Sequence, residues 1–121
     1  MEFAPTDEAD LDEYCRTTMA TPPLAPDEEK ELGRLIEAGD SEARERLVRA
    51  NLRLVVEAAR RHAGEGLALR RLLQAGTEGL LHAVEAFDPR GSGPFAEHAS
   101  QWIEQAIQHA VFSGERAGKA T

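Results

Sequence analysis

Apolar residues recur at helical spacing along most of the chain, and turn residues punctuate the pattern. Phe95, Ala99, Trp102, Ile103, Ala106, Ile107 and Ala110 form one stripe, predicting a helix over residues 94–111. Leu69, Leu72, Leu73, Leu80, Val84 and Phe87 form a second, over 66–87. Leu47, Leu54, Val55 and Ala58 form a third, capped by Asp40 or Ser41 and stopped by Gly64. Two further helices are expected over 6–19 and 26–38, separated by "TPPLAP", because proline cannot continue a helix. Pro26 suits a first turn, Asp27, Glu28 and Glu29 complement the positive end of the helix dipole, and Gly39 suits the C-terminal cap. Gly76 and Gly79, inside the second stripe, predict close approach by another helix. No strand alternation and no internal repeat is found. The expected fold is all-α, a compact bundle of about five helices. Residues 1–24 read as an acidic helix and Pro-rich linker, 25–113 as the main domain and 114–121 as a frayed tail.

Composition narrows this picture. The chain has 121 residues, 5% of them aromatic and 41% hydrophobic, so its core must be mostly Leu, Ala, Val and Ile. One cysteine, Cys15, rules out an intrachain disulfide framework and fits a reducing compartment. The acidic N-terminus lacks a signal-peptide pattern, and no apolar run approaches the roughly 20 residues of a membrane span. A soluble, cytoplasmic protein is expected. The net charge is −8, and its placement matters more. Residues 1–50 hold 14 acidic and 6 basic residues, whereas 51–121 hold 8 of each. Affinity for nucleic acid rests on neutralising phosphates, so this chain by itself is a poor DNA binder. Basic protein surfaces suit it better.

The strings "LVRANLRLVV" and "LLQAGTEGLLHAVEAFDP" stand in the order and spacing of a known family. The stretch of roughly 11–112 resembles the second domain of housekeeping (sigma-70) bacterial RNA polymerase sigma factors, with the short helical segment before it. The resemblance implies a helix pair that grips the β′ clamp helices of the polymerase core. It also implies a face that opens promoter DNA and captures unpaired bases. Nothing here resembles the later helix-turn-helix that reads the upstream promoter element.

Carried over position by position, the polymerase- or partner-binding face would comprise Arg71, Gln74, Ala75, Thr77, Glu78 and Leu81. The family usually has Asp at 71, Gln at 74, Glu at 75, Asn at 77 and Met at 81, so only Gln74 is kept. Arg71 reverses a charge, and like charges across an interface cost several kcal/mol. The DNA face implied by the resemblance comprises Asn51, Leu54, Phe87, Asp88, Phe95, His98, Gln101, Trp102, Gln105 and Gln108. Asn51 and Leu54 match a pocket for a flipped-out base, and Phe87 and Asp88 the lining of another. Family aromatics are replaced by Gly93, His98 and Gln101. Family basic residues are replaced by Gly91, Pro94 and Glu104, and His109 stands for an Arg. Each lost ring removes roughly 1–3 kcal/mol of base stacking. Opening a DNA step takes about 1.4 kcal/mol on average. Glu104 would meet phosphates with the wrong sign.

Plainer roles fit several of these residues. Leu54 and Phe87 also fit the core stripe, Asn51 can bridge or cap helices, and Trp102 reads as core. His98 reads as a solvated surface residue. His62, His82, His98 and His109 contain no i, i+4 pair, so no metal site is expected. There is no phosphate loop and no nucleophile–base signature, so neither an enzyme, a small-molecule substrate nor a cofactor is expected. The reading is a sigma-like initiation protein that docks on RNA polymerase, with promoter DNA bound weakly or only within a complex. One alternative is a sigma mimic that occupies an anti-sigma factor or other regulator. Another is a sigma fragment that still binds single-stranded promoter DNA.

Overall fold

A computed structural model of the chain describes residues 3–91 and 93–113. They form five helices: α1 (Leu11–Met19), α2 (Pro26–Glu37), α3 (Ser41–Arg61), α4 (Leu69–Glu85) and α5 (Phe95–Phe112). No strand occurs among the described residues. None of their helices is long and apolar enough to cross a membrane. The tail expected over 114–121 lies outside the described residues.

Local chemistry sets the helix ends. At α3, Asp40 rather than Ser41 is the cap, its Oδ1 accepting from the Glu42 and Ala43 amides at 3.0 and 3.1 Å. Before it, Gly39 takes φ +93°, a left-handed conformation that lets the Asp40 amide reach back to the Leu35 carbonyl. At α2, Pro26 fills the first position and the Glu28 carboxylate accepts from the Ala25 amide at 3.0 Å.

The first helix is shorter than its expected span of 6–19. Asp10 accepts from the Asp12 and Glu13 amides, so the helix starts at Leu11. Residues 3–9 instead run as a non-helical strap toward α4.

α3, α4 and α5 enclose the core. Leu47, Val55, Leu72, Leu73, Leu80, Phe95, Ile103 and Ile107 are all at most 1% exposed. Burying side chains of this size contributes about 1.5–3 kcal/mol each. The two internal glycines of α4 behave as their sequence context predicts. A Cβ at Gly79 would lie 2.6 Å from the Trp102 carbonyl oxygen, and one at Gly76 would lie 2.8 Å from Val55 Cγ1. α5 therefore crosses α4 nearly backbone to backbone, which fixes the direction of its outer face.

Candidate functional site

The crossing of α4 and α5 divides the residues of α5. Phe95, Ala99, Ile103 and Ile107 face inward, while Gln101, Trp102, Gln105, Gln108 and His109 are exposed. Trp102 is 36% exposed, so its expected place in the core is corrected. With Gly79 drawing the α5 backbone onto α4 at Trp102, the indole is left beside the contact rather than beneath it. It stacks on His82, with centroids 6.1 Å apart and planes at 25°.

A row of rings leads from this surface into the core. His98 lies 6.3 Å from Trp102 and 5.9 Å from Phe95, which packs edge-on against Phe87 at 5.0 Å. His98 is not the solvated residue expected: it is half-buried, and its Nε2 lies 3.0 Å from the Ala83 carbonyl oxygen. Phe95 is 1% exposed and serves the core, so no base can stack on it in this conformation.

The residues of the candidate base pockets differ in exposure. Asn51 is 6% exposed, and its Nδ2 donates to the Leu47 carbonyl one turn back at 2.8 Å. The amide satisfies its own helix and bridges to no other. Leu54 and Phe87 are half-buried against the core. Asp88 is exposed and holds the α4–α5 turn, accepting from the Arg90 amide at 2.9 Å. Arg90 in turn makes two bonds to the Glu37 carboxylate at 2.9 and 3.0 Å, tying this turn to α2.

Glu104 faces neighbours that its family position does not suggest. Its carboxylate lies 2.6 Å from His62 Nε2 and 3.7 Å from the Arg61 guanidinium. His62 Nδ1 lies 2.6 Å from Glu65. A carboxylate on each ring nitrogen favours the imidazolium, which donates at both. The Glu65 contact is the larger cause raising the His62 pKa above its ordinary value; burial opposes the rise and Glu104 adds to it. The negative charge of Glu104 is thus partly compensated within the protein. Nothing local in the sequence points to this pair, because its partners are 42 residues apart.

A second pair was equally hidden. Glu29 of α2 is 8% exposed and accepts from the Phe95 amide at 3.3 Å. Pro94 provides no side-chain cap for α5, so a carboxylate from another helix does so. Burial raises the Glu29 pKa, and the amide contact partly offsets it.

The candidate partner face on α4 is only partly available. Glu78 is exposed; Arg71, Gln74 and Leu81 are half-buried. Ala75 is 3% exposed and Thr77 0%, so neither can meet a partner in this conformation. Thr77 Oγ1 donates to the Leu73 carbonyl at 2.7 Å, and the Tyr14 hydroxyl of α1 donates to the Phe3 carbonyl at 2.8 Å. Burial is the leading cause of a raised Tyr14 pKa. Alanine and threonine at these two positions are short enough to be enclosed by their surroundings.

Comparison with known proteins matches more than half of the chain to one family. The family described as sigma-70 region 2 matches residues 47–117. An RNA polymerase sigma factor SigA of a Bacillus species is 44% identical over 98 residues, covering 81% of this chain and 26% of the relative. The SigA of Listeria monocytogenes is 49% identical over 88 residues, covering 73% and 24%. The sigma factor RpoS of Coxiella burnetii is 40% identical over 103 residues, covering 85% and 29%. The chain spans about a quarter of the length of these curated relatives.

Proposed function

The chain belongs to the sigma-70 region 2 family, and from that premise we propose that it acts in transcription initiation by docking on RNA polymerase through α4, while contributing little to promoter melting. The relatives are named as RNA polymerase sigma factors, and the match spans the helices that carry the face. Gln74, Glu78, Leu81 and Arg71 form the docking surface. The weakness toward DNA follows from the outer face of α5. That face is led by three glutamines and one partly exposed indole, and α5 contains no Lys or Arg. Such a surface offers stacking at one position and no phosphate neutralisation.

The observation that carries the reading is a well-packed α3–α5 frame whose outer α5 face presents no Lys or Arg. Its test is titration of the labelled chain with purified core RNA polymerase, alongside permanganate footprinting of a promoter in the resulting complex. The expected result is binding at micromolar concentration or below, with no unpaired thymines. Absence of binding would remove polymerase as the partner. The reversed charge at Arg71 favours one further reading, in which the same α4 face engages an anti-sigma-type regulator. Binding to a purified regulator, with none to polymerase, would select it.

A further inference from the structure

Residues 3–9 form a strap that is fastened to the candidate docking helix. The Arg70 guanidinium, at the start of α4, donates to the carbonyl of Thr6 and to that of Ala9, the latter at 2.9 Å. The Tyr14 hydroxyl donates to the Phe3 carbonyl at 2.8 Å. Arg49 of α3 lies over the Phe3 ring, 5.0 Å from its centre. Phe3, Ala4 and Pro5 are buried, although they belong to no helix. Beyond them, Pro5, Thr6 and Asp7 form one wall of a cleft of about 340 Å³, and Arg71, Gln74 and Glu78 form the other. The strap therefore lies alongside three of the residues through which α4 would meet a partner.

We infer that residues 3–9 compete with the partner for the α4 face, so that docking requires the strap to be displaced. This rests on the reading that α4 is the docking helix. The strap is suited to reversible release. Its anchors are one phenyl ring, one tyrosine hydroxyl and two guanidinium groups, and Thr6, Asp7 and Glu8 remain exposed. Phe3, Ala4 and Pro5 are its buried part, and a segment outside the helices opens at lower free energy than the core. A strap closed about nine-tenths of the time reduces apparent affinity roughly tenfold, because only the open fraction binds.

The test compares the full chain with two variants: Phe3→Ala combined with Tyr14→Phe, and deletion of residues 2–9. Circular dichroism first confirms the helical fold of each. Hydrogen exchange of the backbone amides then reports release of the strap in the double variant, and titration with purified core polymerase reports docking. The expected result is faster exchange over residues 3–9 in the double variant and a roughly tenfold gain in affinity for both variants. Strap release with unchanged or weaker polymerase binding would overturn the inference while leaving the docking reading intact. Failure of all three proteins to bind polymerase would instead overturn the docking reading, and the inference with it.

Discussion

His62 holds a carboxylate on each ring nitrogen, and its raised pKa has a definite consequence for stability. The unfolded value is about 6.5. The folded protein therefore retains this proton to higher pH than the unfolded chain. The contribution of the clasp is fully present below about pH 6.5 and is lost as pH rises through the folded pKa. His62→Ala is expected to lower stability by about 1–2 kcal/mol at pH 6 and by clearly less at pH 9. Urea midpoints at the two pH values measure this, and an equal loss at both would refute the charged clasp. Arg71 is the second informative residue, since it occupies a position where the resemblance implies an acidic group. Arg71→Asp is expected to strengthen polymerase binding by about 1–2 kcal/mol, a five- to thirtyfold gain. An unchanged dissociation constant would place the interface elsewhere.

At the scale of elements, α5 depends on two contacts made by other helices. Gly79 of α4 leaves no room for a side chain against the Trp102 carbonyl, which is backbone and cannot turn aside. Gly79→Ala is expected to cost about 1–3 kcal/mol despite the better helix propensity of alanine, because forced separation of α4 and α5 outweighs it. A thermal melt with a midpoint equal to or above the parent's would contradict this packing. The other contact is the Glu29 carboxylate at the Phe95 amide. Glu29→Ala removes the acceptor and is expected to destabilise the fold by about 1 kcal/mol, with fraying confined to the first turn of α5. Amide exchange at residues 95–98 would reveal it, and unaltered protection there would exclude the cap. Because the Glu29 pKa is raised, the group favours the fold most when protonated, and its contribution declines as pH rises through the folded value.

Across the whole molecule, charge decides what can approach. The net charge of −8 arises in residues 1–50, and α5 adds Glu97, exposed, and Glu104, partly compensated by His62 and Arg61. Trp102 is the single tryptophan of the chain and is partly exposed, so its fluorescence reports directly on the outer face of α5. Titration with a single-stranded promoter oligonucleotide at low salt is expected to leave it nearly unchanged. The triple substitution His98→Tyr, Gln101→Trp and Glu104→Arg, read by oligonucleotide anisotropy, is expected to gain binding. Each added ring contributes roughly 1–3 kcal/mol, and the gain should weaken as salt rises. Strong, salt-sensitive binding by the parent chain would overturn the proposal that this chain contributes little to DNA contact.

Much of the architecture was already written in the one-dimensional pattern. Apolar spacing located five helices, Gly39 and Asp40 marked a boundary, and Gly76 and Gly79 signalled close approach by other helices, since these are effects of neighbours within a turn or two. The family was legible in motif order and spacing. The outcome at Trp102, Ala75 and Thr77 was not, because periodicity says which residues share a stripe but not where the stripe's edge meets its neighbour. The partners of Glu104, Glu29 and the strap were hidden for a related reason. His62–Glu104, Glu29–Phe95 and Thr6–Arg70 join residues 42, 66 and 64 positions apart, and a long-range pair leaves no local signal in an isolated sequence. Only the folded backbone brings such groups within bonding distance, and that proximity decided which polar side chains face solvent and which hold the bundle together.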